Sequence, residues 1–269
     1  MMSISAVWIG HCALLPQCAI AREPSMKFTL WKSASILGAG VVLIGALQSA
    51  PAAAQTGGTP FKVDSFSQVQ IEGAGHAIIT IGSPASVTVS GPDAEISNLQ
   101  VQVWFNTLEI EPNNDNNSSG ADLVYHITVP SLNQIELEGS VTAEVDGLTT
   151  DSLQISVEDS AGLQVTNLTA QQIETQVEGN SSVSITGSAV SQQIEIEDNA
   201  KLDTLNLEGG TIDIQAEGSS HSKVRFTDSL TGEVEDGAIV EYMTETGSVN
   251  VSTEDGGRVT QLPFEALGA

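Results

Sequence analysis

The chain has no cysteine after residue 18, because its two cysteines, Cys12 and Cys18, both lie near the N-terminus. The rest of the chain therefore cannot form a disulfide within itself and has no thiol chemistry, so packing and backbone hydrogen bonds must stabilise it. Aromatic residues are scarce too, at 4% of the 269 residues. This scarcity argues against a sandwich core built on large side chains and favours thin stacked layers of Val, Ile and Leu.

Positive charge is also scarce, with 8 Lys and Arg against 34 Asp and Glu. Three of those basic residues and one acidic residue precede residue 55, which leaves five basic and 33 acidic residues and a net charge of −28 for the remainder. Nucleic acids and anionic membrane surfaces bind through basic patches, so neither is expected as the main partner. The charge favours solubility, cationic partners and divalent metal ions.

Long hydrophobic runs are absent as well. The longest, Ile36–Leu47, has about 12 residues, whereas a membrane-spanning helix needs about 20. It follows the basic segment Met26–Lys32 and precedes the small residues Ala50–Ala54, an order typical of a secretory signal peptide. We therefore predict a signal peptide over residues 26–54 that is cleaved after Ala54, an upstream extension over 1–25 from a misassigned start, and a linker over 55–60. The mature chain has no predicted transmembrane segment and is expected in the periplasm, on the outer cell surface or in the medium.

A short motif recurs through the second half of the chain: apolar, polar, apolar, Glu, then Gly or Asp, then in most copies Ser or Asn. Its period of roughly 18–20 residues is too short for a helix–turn–helix repeat and suits one coil of a β-solenoid. The repeated glutamates are Glu138, Glu158, Glu178, Glu197, Glu217, Glu235 and Glu254.

The residues around each glutamate support an all-β, right-handed parallel β-helix. Apolar and polar residues alternate before the glutamate, which is typical of a half-buried strand. Gly or Asp follows it, and these residues tolerate the left-handed backbone that a sharp corner requires. Ten apolar residues are predicted to point inward and stack coil on coil: Ile135, Leu137, Ile155, Val157, Val177, Ile194, Ile196, Ile212, Ile214 and Val234.

We predict a single β-helix domain over residues 61–265, with regular coils over 134–262. Residues 61–130 lack the regular motif and are predicted to form early coils and an irregular N-terminal cap, because the end of a solenoid exposes a core layer and an open edge. Within this part we expect one strand over Val101–Ile110, with Trp104 and Phe105 covering the core, and a short helical turn over Pro92–Asn98.

The same residues carry a family resemblance, through a series of short motifs in a fixed order. The motifs are Phe66–Ile71, Gly73–Gly75, Ile78–Gly82, Val87–Gly91, Leu108–Ile110, Ile127–Leu132 and Gly139-Ser140. Their order resembles that of the bacterial family described as putative auto-transporter adhesin, head GIN domain, over about residues 61–265. The resemblance implies a right-handed β-helix in an exported, envelope or surface protein, and it brings no established catalytic residues. Many corners here carry Glu-Asp where the family more often has Gly-Ser.

The candidate site residues are the seven repeated glutamates. In-register coils would place them in a row about 4.8 Å apart. Hard cations bind through several oxygen ligands, so one hypothesis is a series of weak Ca²⁺ sites. The alternative is a solvated acidic ridge that keeps the solenoid soluble. His221, Lys223 and Arg225 alternate and are predicted to share one outward strand face, as a basic patch or as relief of acidic repulsion.

No arrangement of residues predicts a catalytic site or a cofactor other than Ca²⁺. The favoured interpretation is a non-enzymatic, exported, adhesin-like or envelope-surface β-helix that binds a surface polymer or protein through extended acidic faces. Two alternatives stay open: a polysaccharide-active enzyme, and a periplasmic structural or stress-related protein. Sheet edges at the two ends would also allow homo-oligomers to form.

Overall fold

In the computed structural model, residues 57–113 and 122–264 are described, and the fold is nearly all-β, with 66% strand and almost no helix. The predicted signal peptide lies outside these ranges. The elements are β1 (Thr59–Phe61), β2 (Gln68–Ile81), β3 (Ser86–Ser90), α1 (Asp93–Ile96), β4 (Leu99–Trp104), β5 (Thr107–Pro112), β6 (Val124–Val129), β7 (Gln134–Asp146), β8 (Thr149–Val157), β9 (Gly162–Val177), β10 (Ser182–Ile196), β11 (Lys201–Thr204), β12 (Leu207–Ala216), β13 (His221–Arg225), β14 (Ser229–Val234), β15 (Ile239–Met243), β16 (Ser248–Thr253) and β17 (Arg258–Gln261).

From β7 onward, each coil pairs in parallel with the coil one repeat earlier and one repeat later. Gln193 of β10, for example, pairs with Glu174 on one side and with Asp213 on the other. The backbone hydrogen bonds continue through the corners: the Glu178 amide donates to the Val157 carbonyl at 3.0 Å. This confirms the predicted β-solenoid, which has about six turns.

The core is a stack of aliphatic layers. All ten residues predicted to point inward are buried, with at most 2% of their surface exposed. Few aromatic rings take part; Phe66, Tyr125 and Phe226 are the large rings that are fully buried among the described residues. Burial of these aliphatic side chains stabilises the coil at about 25 cal/mol for each Å² removed from water.

The corner after each repeated glutamate has the left-handed backbone that the sequence predicts. The φ angles are 65° at Asp159, 73° at Gly179 and 60° at Asp198. Directly after two successive corners, the Asn199 side chain donates a hydrogen bond to the Asn180 side chain at 3.3 Å. Side-chain contacts therefore also link neighbouring coils. Some coils contain a second bend that also has left-handed backbone, with positive φ at Gly147 and Asn167.

The N-terminal part differs because it contains antiparallel strands. β2 pairs in parallel with β7 on one side and with β5 and β6 on the other. β5 then pairs antiparallel with β4, and β6 with β3, which in turn pairs with β1. These antiparallel strands cover the edge of β2 that a parallel stack would leave open at this end. The helical turn expected over Pro92–Asn98 is present as α1.

The single strand predicted over Val101–Ile110 is wrong. The chain reverses at Phe105 and Asn106, whose φ angles are 45° and 72°, and the segment forms the β4–β5 hairpin. Alternating apolar residues continue on both sides of this tight turn, so the pattern resembles one long strand. The expectation that Trp104 and Phe105 cover the core is also wrong, because both are exposed.

The corners lead to a prediction for Gly179→Ala. A Cβ at Gly179 would lie 2.5 Å from the Asp159 carbonyl oxygen of the preceding coil, and φ is +73°. We expect a loss of about 1–3 kcal/mol in the free energy of unfolding, visible as a lower melting temperature. Asp198→Gly is the control, because glycine adopts the same backbone without strain. A Gly179→Ala melting temperature equal to that of the wild type would contradict this explanation of the corner.

Candidate functional site

The seven predicted glutamates form one uninterrupted column along the solenoid. Six of them follow a buried apolar residue, whereas Glu254 follows the exposed Thr253. Their amides bond to the coil before: Glu197 to Val177 at 3.0 Å and Glu217 to Ile196 at 2.9 Å. The structure adds an eighth member, since Glu72 of β2 pairs with Glu138 of β7. We call these eight residues the acidic column: Glu72, Glu138, Glu158, Glu178, Glu197, Glu217, Glu235 and Glu254.

The sequence contains a signal for Glu72 that the repeat analysis missed. The segment Val69–Ala74 has the same order of apolar, polar, apolar, Glu, Gly and small residues as the later corners. It precedes Glu138 by much more than one repeat, because strands β3–β6 and α1 are inserted between the two coils. A search at fixed period therefore passes over it, whereas a search by motif finds it.

Desolvation and, after it, the crowding of like charges raise the pKa values of several members of this column. Partial burial, followed by the negative charges of Glu158, Glu195 and Asp198, raises the pKa of Glu178 above its ordinary value of 4.5. The pKa values of three other members are raised in the same way, by partial burial first and by neighbouring carboxylates second. These members are Glu138, Glu197 and Glu235.

The adjacent column on the same strands carries fewer carboxylates. There, glutamates are separated by amide or hydroxyl side chains in the stacking order Gln70, Glu136, Ser156, Gln176, Glu195, Gln215, Glu233 and Ser252. Gln176 donates to Glu195 at 3.0 Å, so a neutral neighbour both spaces and binds the carboxylate. The acidic column has no such spacer, and it accumulates one negative charge for every coil.

Metal binding by the acidic column stays a hypothesis. Within residues 57–113 and 122–264, no three His, Asp or Glu side chains are arranged to hold one metal ion. A cation on this column would therefore be bound by carboxylates of adjacent coils together with solvent, which is an arrangement for weak binding.

A groove of about 700 Å³ crosses the strands that follow the corners. Its length follows one outward position through six coils, in which His76, Thr142, Gly162, Ser182, Lys201 and His221 pair in succession. The floor is low at Gly162 and Ser182, because these residues are the smallest of the row. The other lining residues with outward polar side chains are Glu144, Gln164, Ser184, Asp203 and Lys223.

A histidine–glutamate pair borders each end of this groove. Nε2 of His76 lies 3.8 Å from Glu144, and its Nδ1 lies 3.0 Å from the Thr142 hydroxyl. At the other end, Nε2 of His221 lies 2.9 Å from Glu241. The sequence indicated no partner for His76, since Glu144 is distant in the chain and is brought near only by the pairing of β2 with β7.

The predicted basic patch lies at the second end of the groove. His221, Lys223 and Arg225 are half-buried and alternate with the buried Ser222 and Val224, as the sequence predicts for one outward face. Lys201 of the preceding coil pairs with His221 and joins this group, which the sequence analysis did not foresee. Lys201 and His221 are one repeat apart in the sequence, so the repeat period is enough to predict that they pair.

The β4–β5 hairpin presents a second candidate contact surface. Trp104 is 61% exposed and Phe105 is 85% exposed, and their rings meet edge to face with centroids 4.8 Å apart. A large aromatic residue with φ of 45° is uncommon, because left-handed backbone suits Gly, Asn and Asp. These rings occupy the tip of a hairpin, away from the column and from the groove residues.

These features define the class of protein: a parallel β-solenoid whose coils present repeated side chains on open faces. No helix among the described residues is long and apolar enough to cross a membrane. Residues 65–246 match the family described as putative auto-transporter adhesin, head GIN domain, and the chain belongs to this family.

Solved structures share the fold. A putative adhesin from Bacteroides fragilis is 22% identical and superposes with a TM-score of 0.71, covering 76% of this chain and 95% of that one. A putative adhesin from Parabacteroides merdae is 13% identical with a TM-score of 0.59, covering 76% and 95%. A putative lipid binding protein from Parabacteroides distasonis is 11% identical with a TM-score of 0.60, covering 77% and 98%. A search of curated proteins gave no significant match.

The raised pKa of Glu178 predicts a pH dependence. The folded chain binds more protons than the unfolded chain between the ordinary pKa of 4.5 and the raised folded pKa, so stability rises as pH falls from 7 toward about 4.5. We expect Glu178→Gln to raise the melting temperature at pH 7 by about 1–3 °C, a small effect because the carboxyl is largely exposed. Its melting temperature should also change less between pH 7 and pH 5.

The matched control for this measurement is Glu208→Gln, which removes one exposed glutamate outside the acidic column. It should leave the pH dependence as in the wild type. Equal effects of the two substitutions would mean that the net charge, rather than crowding within the column, sets the pH dependence.

The calcium hypothesis predicts a higher melting temperature in millimolar CaCl₂ than in chelator, by RT ln(1 + [L]/Kd) in free energy for one site. Glu158→Gln together with Glu178→Gln should then reduce the shift, whereas Glu208→Gln should not. Magnesium at the same concentration controls for screening. Identical melting temperatures in calcium and in chelator would exclude calcium binding at the column.

Proposed function

We propose that this chain is an exported, non-enzymatic, adhesin-like protein of the cell envelope or surface that binds a polymer or protein through its extended acidic face. The observation that carries the proposal is the acidic column, which places a glutamate in eight stacked corners at a spacing of about 4.8 Å. Membership of a putative adhesin family supports the adhesin-like part of the proposal.

A column of this kind is suited to a partner that also repeats. Each exposed carboxylate on its own contributes little to binding, because water and salt weaken a surface ion pair to about 0–1 kcal/mol. Eight aligned carboxylates act together on a cationic chain or patch, since the first contact raises the effective concentration of the next. The uncompensated field of the column also speeds the approach of cationic partners.

The absence of spacers in the column favours an intermolecular role for it. In the adjacent column, Gln70 donates to Glu136 at 3.3 Å and Gln176 donates to Glu195 at 3.0 Å, so the fold can bind its own carboxylates where the sequence provides an amide. The corner position carries Glu in all eight coils and bears the cost in repulsion. A cationic partner would relieve that repulsion when it binds.

The first experiment locates the protein in its native bacterium. Protease is added to intact and to permeabilised cells, and the chain is followed with an antibody to residues 55–269. We expect digestion in intact cells. Protection until permeabilisation would place the protein in the periplasm and exclude a role at the cell surface.

The second experiment tests the acidic face on surfaces coated with poly-lysine. Cells carrying Glu158→Gln, Glu178→Gln, Glu197→Gln and Glu217→Gln together should adhere about tenfold less than the wild type. The control neutralises four exposed acidic residues elsewhere: Asp122, Asp151, Glu208 and Glu245. Equal losses in the two variants would show that net charge alone controls adhesion and would contradict a dedicated acidic face.

A further inference from the structure

The groove across the strands after the corners concentrates the scarce positive charge of the chain. Only five Lys and Arg residues follow residue 55, and two of them, Lys201 and Lys223, line the groove. Arg225 continues the outward row of β13 beyond Lys223. Three of the five cations that follow residue 55 therefore lie on two adjacent coils.

The two lysines of the groove have no ion-pair partner within the described part of the chain. Among the described residues, the ion pairs are those of His76 with Glu144 and of His221 with Glu241, and neither Lys201 nor Lys223 takes part in one. The carboxylates that line the groove are already engaged, because Glu144 faces His76 and Asp203 accepts a hydrogen bond from the Leu205 amide at 3.1 Å. Two ammonium groups therefore remain available to an anionic ligand.

The polar lining also suits a ligand that is rich in hydroxyl groups. Thr142, Ser182 and Ser184 offer hydroxyls, and Gln164 offers an amide. Six coils at about 4.8 Å give the row a length of about 24 Å, which fits a linear oligomer better than a single small molecule.

A peptide fits this surface less well. Peptides commonly bind by adding a strand to a free sheet edge or by placing an apolar helix face in an apolar groove. The strands that form the floor, β7, β9, β10, β11 and β13, are each paired on both sides, so no edge is free there. Their outward side chains are polar, so an apolar helix face would find little to bury.

We propose that this groove binds a stretch of linear, carboxylate-bearing polysaccharide, with sugar carboxylates beside Lys201 and Lys223 and sugar hydroxyls along Thr142, Ser182 and Gln164. This site goes beyond the proposed acidic face, since its residues follow the corners that carry the glutamates and it takes a ligand of opposite charge. At physiological ionic strength the Debye length is about 8 Å, so most of the distant negative charge of the chain is screened from it.

Gly162 allows the groove to be filled without changing its charge. Its φ lies outside the left-handed region, and a Cβ would meet the Thr142 methyl at 3.5 Å and the Ser182 hydroxyl at 3.6 Å, which are ordinary contacts. Gly162→Val should therefore fold normally, because β-branched residues suit a strand, while its side chain obstructs the floor. Thr211→Val, an exposed position on β12 outside the groove, is the matched control.

The experiment is isothermal titration of the full chain, processed as in its host, with linear oligogalacturonate. Its methyl-esterified form is the neutral comparison. We expect the esterified form to bind at least tenfold more weakly, and Gly162→Val and Lys201→Ala with Lys223→Ala each to weaken oligogalacturonate binding at least tenfold. Lys62→Ala and Thr211→Val should leave the affinity unchanged, and circular dichroism should show the same fold for all variants.

Four outcomes would overturn this proposal: no binding of oligogalacturonate by the wild type, equal binding of the esterified form, equal losses with Lys62→Ala, or wild-type affinity in the Gly162→Val variant. None of these outcomes bears on the acidic face, which is tested by its own glutamate variants on poly-lysine. A wild-type result in the Gly162→Val titration would likewise move the binding away from the groove while leaving the proposed adhesin-like function in place.

Discussion

The parallel, in-register pairing of one coil with the next is the constraint on which the rest of the structure depends. It converts the short period of the sequence into columns, so a residue type repeated at one motif position becomes a continuous row on the molecule. Repetition of an aliphatic residue yields a stacked core layer. Repetition of a glutamate yields a line of like charge. Both the core layer and the line of charge arise from contacts between coils, not from contacts between residues close in the sequence.

The same constraint explains why the sequence predicts the regular coils well. The inward positions, the glutamate row and the left-handed corners each follow from one motif position, and Asp159, Gly179 and Asp198 have the backbone that their residue types favour. The prediction fails where the chain leaves the period. Phe105 and Asn106 reverse the chain inside an unbroken alternating pattern, and the long insertion before Glu138 hides Glu72 from a periodic search.

The groove could not be predicted in the same way, because it depends on how the residues at one position of the repeat differ in size from coil to coil. Gly162 and Ser182 are ordinary small residues in the sequence, and they form a floor only because larger residues lie at the same position in neighbouring coils. His76 meets Glu144 through a pairing that spans the irregular N-terminal part. The period identifies Lys201 as a neighbour of His221, but which side chains stay unpaired is decided by distances that no motif contains.

The distribution of charge supports the proposal that the acidic column and the groove bind different partners. If solubility alone governed the sequence, cations would be expected beside the acidic column, where they would relieve the repulsion that, after partial burial, raises the pKa of Glu178 and Glu197. Instead Lys201 and Lys223 lie past the corners, in a groove whose lining carboxylates, Glu144 and Asp203, already have partners. Separating the two signs costs stability in the folded chain, because attractive pairs are forgone and repulsive ones kept. The two proposed binding faces, one for cationic and one for anionic groups, would provide the compensating interaction when the partners are present.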